Sequence, residues 1–184
     1  MSDDDLISTP SQTVGPFFHF GLTTPFGRKP GTSAADDQIR VIVRVFDGDG
    51  LPLDDAIVEF WQRNVQRNPG SGTEELETSE CGRVATDADG SCEIVLTRPQ
   101  ATDSGTARRA AHINLCLFAR GLLRQVYTRI YFSGDPALES DPVVALVPAD
   151  RRATLMARPD GAAPDRWRFD LHLQGPHETV FFDR

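Results

Sequence analysis

Ala111-His112-Ile113-Asn114-Leu115, followed by Val126-Tyr127-Thr128-Arg129-Ile130-Tyr131-Phe132-Ser133-Gly134-Asp135-Pro136, decides the reading of this chain. Both segments alternate, and side chains two apart on a β-strand point to the same face. His112 and Asn114 therefore fall side by side, with Ile113 and Leu115 on the opposite face. In the second segment Tyr127, Arg129 and Tyr131 share one face, and Thr128, Ile130 and Phe132 the other. An imidazole beside an amide has the spacing of a two-histidine metal pair with one ligand replaced, because an amide binds iron poorly next to a neutral imidazole.

Working outward, the pattern stays all-β. Ile39 to Phe46 alternates, is rich in valine and isoleucine, and ends at Asp47-Gly48-Asp49-Gly50, a hairpin signal. Ile57 to Gln62 predicts a second strand, and residues 63 to 80, polar and glutamate-rich, a solvated loop. Gly82 to Thr86 and Ser91 to Leu96 flank Asp87-Ala88-Asp89-Gly90, which predicts another hairpin. A second polar loop covers residues 98 to 109. Residues 136 to 158 hold Pro142, Pro148 and a short helix over Ala149 to Ala157. Two final strands, Trp167 to Gln174 and Glu178 to Phe182, close the chain. Short strands at this spacing with Gly/Asp turns predict a two-sheet β-sandwich with long loops and at most short helices. Residues 1–184 read as a single domain, with residues 1–38 an N-terminal arm docking on the domain or on a partner.

Composition narrows the function. At 184 residues and 20.2 kDa the chain can bury a real core. A formal charge of −8 and a pI near 4.9, with no Lys/Arg run beyond a doublet, argue against nucleic acid. No stretch approaches the roughly 20 apolar residues of a membrane span. The start, Met1-Ser2-Asp3-Asp4-Asp5, shows no secretion signal, and a cytoplasmic setting is expected. Cys81, Cys92 and Cys116 are odd in number and form no Cys-x-x-Cys pair, so neither zinc nor a disulfide framework is indicated. The Asp-Gly clusters lack the full calcium-loop pattern, and no Gly-x-Ser-x-Gly elbow marks a hydrolase. His172 alternates onto a polar face with Asp170 and Gln174.

Two further features ask for a ligand. Thr9-Pro10-Ser11-Gln12-Thr13-Val14-Gly15-Pro16-Phe17-Phe18 is too aromatic for a free tail; either it covers the core, or Gly15-Pro16 brings backbone close to a ligand. Arg129, between two tyrosines, reads as partly buried. Its guanidinium then needs either an internal carboxylate or an external anion to offset desolvation.

In this order, the N-terminal segment, Val58-Glu59-Phe60-Trp61-Gln62-Arg63-Asn64, Ala111-His112-Ile113-Asn114, Leu117-Phe118-Ala119-Arg120-Gly121, Thr128-Arg129-Ile130-Tyr131-Phe132, Arg168-Phe169-Asp170-Leu171 and Thr179-Val180-Phe181-Phe182-Asp183 resemble the intradiol ring-cleavage dioxygenases. The likeness runs through nearly the whole chain. It is greatest to the α chains of the two-chain members that cleave protocatechuate. The resemblance implies a ferric ion held in the β chain by two tyrosines and a His-x-His pair. The pair here is His112-x-Asn114, and the first tyrosine would fall at about Asn68 or Pro69. The chain has only two tyrosines, none between Gln62 and Tyr127, and Tyr131 matches a non-ligand position. One imidazole and an amide supply neither the charge nor the number of donors that Fe(3+) needs.

The resemblance therefore implies a chain that binds no metal itself and has no catalytic residue of its own. Its expected partner is a β subunit carrying Fe(3+), with the aromatic substrate and O2 at their interface. Thr13, Gly15, Pro16 and Arg129 are the expected substrate-binding residues. Two rivals are a metal-free sandwich that binds an aromatic acid or a protein, and an active enzyme using His112 and His172 with Tyr127 or Tyr131.

Overall fold

The computed structural model describes residues 9–15, 17–23, 37–62, 66–67, 74–75, 80–104, 107–161 and 163–183. Its strands fall in two layers. Strands β1 (Gln38–Phe46), β6 (Ser91–Thr97), β11 (Met156–Pro159) and β12 (Arg166–His172) make one, in the order β11-β12-β1-β6. Strands β2 (Ile57–Gln62), β5 (Glu80–Ala85), β9 (His112–Phe118) and β10 (Val126–Phe132) make the other, in the order β5-β2-β9-β10. The short β11 pairs with both β10 and β12, so the layers join at that edge. The expected all-β two-layer fold is what forms.

Alternation explains the core. Ile39, Val41, Val43 and Val45 of β1 point inward and meet Val58 and Phe60 of β2, Ile113, Leu115 and Leu117 of β9, and Phe169 and Leu171 of β12. All are essentially solvent-free. A smaller core lies outside the second layer, where Tyr131 packs with Ala110, Ala137, Val144, Val147 and Leu155. Its cover is a 3₁₀ turn at Pro136–Ser140, the short helix α2 (Pro142–Leu146) and a second 3₁₀ turn at Arg152–Leu155.

Several local expectations need correction. The Asp-Gly turns form as read: Asp47 Oδ1 accepts from the Asp49 and Leu51 N–H groups, and Asp87 Oδ1 from those of Asp89 and Ser91. The first closes only a short hairpin, with a bridge between Phe46 and Pro52, and the second pairs no strands across it. The strand after each turn joins the other layer, since β1 pairs with β6 and β12 while β2 pairs with β5 and β9. An Asp side chain closing its own backbone specifies a reversal, not the partner of the next strand. Residues 98–109 contain a small ladder, β7 (Thr102–Ser104) with β8 (Ala107–Arg109). In the 63–80 region, two-residue strands β3 (Gln66–Arg67) and β4 (Glu74–Glu75) pair. The other residues from 63 to 79 lie outside the described residues.

The helix placed at Ala149–Ala157 is instead the second 3₁₀ turn running into β11, and the α-helix sits earlier, at α2. Asp141 caps it, with Pro142 following at the first helical position. Residues 178–182 are not a ladder strand. They run beside β10, Phe181 on the main core and Val180 and Phe182 on the smaller one. Thr128 Oγ1 donates to the Val180 carbonyl, and the Phe182 N–H to that of Tyr127. At the N-terminus, helix α1 (Phe18–Thr23) touches the domain where Arg83 donates to the Leu22 carbonyl.

The second turn is tight. Gly90 has φ +68°, and a Cβ there would lie 2.7 Å from Pro52 Cβ and 2.9 Å from both Leu53 N and Val45 O. Gly90→Ala is therefore expected to cost about 1–3 kcal/mol. Thermal denaturation checks this, and an unchanged Tm would refute the steric argument.

Candidate functional site

The outer face of the β5-β2-β9-β10 layer collects the residues that the sequence singled out. Register aligns Trp61, Asn114 and Arg129 in one row, and His112 with Tyr131 in the next. The Asn114 amide donates to the Trp61 carbonyl at 3.3 Å. His112 Nδ1 lies 2.8 Å from the Ala110 carbonyl, which fixes the tautomer with the proton on Nδ1. The His112 and Tyr131 rings are 5.5 Å apart.

Arg129 is half-buried. Its Nη1 donates to the Tyr131 hydroxyl at 3.2 Å, and its guanidinium carbon stands 5.9 Å from the Phe182 ring centre. None of the ion pairs among the described residues includes Arg129, so the internal-carboxylate alternative is not realised there. Tyr131 is fully buried, and its hydroxyl faces Asp141 Oδ1 at 3.5 Å. Asp141 is itself fully buried. Oδ1 accepts from the Val143 and Val144 N–H groups and Oδ2 from that of Ala110. Tyr131 enters the sequence reading only as a possible ligand of the rival active enzyme, and Asp141 and Phe182 do not enter it as site residues. The signal for Asp141 was present: an Asp-Pro pair at a helix start.

Burial lowers the His112 pKa; the Ala110 carbonyl works against this, and Arg129, Asp141 and Arg109 act more weakly. Burial also lowers that of His172. A histidine whose folded pKa lies below its unfolded value of 6.5 favours the neutral form. Its contribution to stability is complete above pH 6.5 and is lost as the pH falls through the folded pKa. Stability is thus expected to decline from pH 7 toward 5, with His112→Gln reducing that slope in Tm measurements. An unchanged slope would contradict the assignment.

Thr13 lies elsewhere on the domain. Its Oγ1 accepts from the Gly121 N–H at 2.9 Å, in the turn between β9 and β10. Arg129 is three residues beyond the start of β10, about 10 Å along a strand. Gly15 is exposed, and its carbonyl accepts from the Phe18 N–H. The described contacts do not join Thr13 or Gly15 to Arg129, and Pro16 lies outside the described residues. His172 belongs to the opposite layer, stacked on Phe46 at 4.7 Å, so the set His112, His172 and a tyrosine is not assembled.

This donor set does not fit a ferric ion. The Asn114 amide is turned to a carbonyl, the Tyr131 hydroxyl is engaged by Arg129 and Asp141, and the Tyr127 hydroxyl accepts from Gln125. Among the described residues of this face that leaves His112 Nε2 as the donor in place, against the several hard anionic oxygens Fe(3+) requires. What the face offers instead is a guanidinium held at one corner, suited to a carboxylate.

Known proteins resemble the chain over most of its length. A family model described as a dioxygenase matches residues 15–175. The chain is 40% identical to the protocatechuate 3,4-dioxygenase alpha chain of Burkholderia cepacia, over 97% of this chain and 98% of that one. It is 30% identical to the beta chain from the same organism, over 78% of this chain and 67% of the relative. Among solved structures, catechol 1,2-dioxygenase from Acinetobacter sp. ADP1 superposes with a TM-score of 0.57 at 21% identity, covering 84% of this chain. This chain spans 59% of that enzyme's length.

Proposed function

The chain belongs to the intradiol dioxygenase family, and we propose that within it this is the non-catalytic alpha subunit of protocatechuate 3,4-dioxygenase. The observation that carries the reading is the outer-face site, where Asn114 stands beside His112 with its amide turned to the Trp61 carbonyl, and the Tyr127 and Tyr131 hydroxyls are engaged by other side chains. Its likeness to the α chain runs nearly end to end.

In this reading the beta subunit binds Fe(3+) and performs intradiol cleavage of protocatechuate by O2 to 3-carboxy-cis,cis-muconate. The alpha chain packs against it and helps shape the pocket. Arg129 presents its guanidinium to the ring carboxylate, and the backbone around Thr13, Gly15 and Pro16 closes the pocket wall. Residues 1–38 act as the arm that completes the contact. No helix of the described residues is long and apolar enough to cross a membrane. Cys81, Cys92 and Cys116 form no disulfide, which suits a reducing cytoplasm.

Anaerobic ferric titration of the isolated chain tests the assignment of iron. The expected result is no intense visible charge-transfer band. A stoichiometric tyrosinate band would overturn the reading, because it would put the metal in this chain.

A further inference from the structure

The Arg129 guanidinium is held by a support that reaches into the smaller core. Its Nη1 meets the Tyr131 hydroxyl at 3.2 Å, and that hydroxyl also faces Asp141 Oδ1 at 3.5 Å. Tyr131 and Asp141 are both fully buried, so neither side chain has room to swing. Asp141 is fixed further by the three backbone N–H groups it accepts, from Ala110, Val143 and Val144.

Burial raises the Tyr131 pKa, which keeps the phenol neutral. A neutral phenol has one proton to donate and lone pairs to accept with. With the proton directed at the Asp141 carboxylate, a lone pair faces Arg129 Nη1. The guanidinium is a planar fork, so fixing one corner fixes the direction of the other N–H groups. Phe182, 5.9 Å from the guanidinium carbon, borders the same group. The Arg129 Nε and Nη2 edge then faces away from Tyr131, as bidentate recognition of a carboxylate requires.

We propose that Tyr131, backed by Asp141, is a positioning residue that aims Arg129 at the carboxylate of the aromatic substrate. The proposal rests on the reading of Arg129 as a substrate contact given above. It adds a specificity device: buried residues on the alpha chain would set discrimination between carboxylated and uncharged catechols at a centre in its partner.

The test is Tyr131→Phe in the assembled alpha/beta enzyme, with steady-state kinetics on protocatechuate and on catechol, which lacks the carboxylate. The ring and its packing remain, so folding is retained. Losing a hydrogen bond to a charged group is expected to raise KM for protocatechuate about ten-fold with kcat little changed. The constants for catechol should not move. In an Arg129→Ala background, Tyr131→Phe should add nothing further. Optical titration with 4-hydroxybenzoate, a carboxylated ligand that is not cleaved, should show the same ten-fold weakening.

Equal losses for both substrates would mean a merely structural role and overturn the proposal. If Arg129→Ala raises KM for protocatechuate but Tyr131→Phe does not, the positioning role fails and the substrate contact stands. If Arg129→Ala is silent, both fall.

Discussion

Arg129→Ala in the assembled enzyme is expected to lower kcat/KM for protocatechuate by roughly 2–5 kcal/mol of transition-state binding, with no loss of iron from the complex. The size follows from the environment of the residue. Arg129 lies mid-strand on β10, opposite Asn114, half-buried, with a phenol and an aromatic ring beside it and no ion pair among the described residues. A desolvated guanidinium without an internal anion carries a cost that an external carboxylate offsets. Removing it takes away both charge and fork. Arg129→Lys should recover little, because an ammonium cannot make the bidentate contact. A variant with unchanged kcat/KM would show that the arginine faces something other than substrate.

The second large effect concerns stability. Asp141→Ala is expected to cost about 3–5 kcal/mol, seen as a Tm lower by roughly 6–20 °C in a chain of this size. One carboxylate satisfies three backbone N–H groups, two as the cap of α2 and one on Ala110, two residues before the His112 strand. Loss of a helix cap costs about 1 kcal/mol, and each buried N–H left unpaired about 1–3 kcal/mol. Asp141→Asn keeps a single acceptor oxygen and should fall between wild type and alanine. A Tm within 2 °C of wild type for the alanine variant would mean that water or a neighbouring group replaces the carboxylate.

Much of this was legible in the residues. The bounds of β2, the inward face of β1 and the shared face of Tyr127, Arg129 and Tyr131 follow from period-two alternation alone, because burial on one side of a sheet enforces it. Pairing was not legible. Asp47 and Asp87 announce turns through their own side chains, yet nothing local says that the next strand crosses to the other layer. The segment 178–182 reads as a strand because Val180 and Phe182 face one core and Phe181 the other, although no ladder forms. A helix over 149–157 is the wrong reading, because Asp141-Pro142 carries the cap signal that starts α2.

At the site, His112 and Asn114 fall together as spacing requires. The support behind Arg129 depends on Asp141, twelve residues further along, and on a second core that no periodicity announces. Thr13, joined to Gly121, sits at a different place on the domain from Arg129, so the role proposed for the two together depends on the partner's surface.

The most direct test of the central claim is co-expression of this chain with its beta subunit, followed by iron analysis of the purified complex and of each chain alone. The account predicts about one iron per alpha/beta pair, with colour and protocatechuate cleavage in the complex and a colourless, inactive alpha chain by itself. An isolated alpha chain that purifies with stoichiometric iron and cleaves protocatechuate would contradict it.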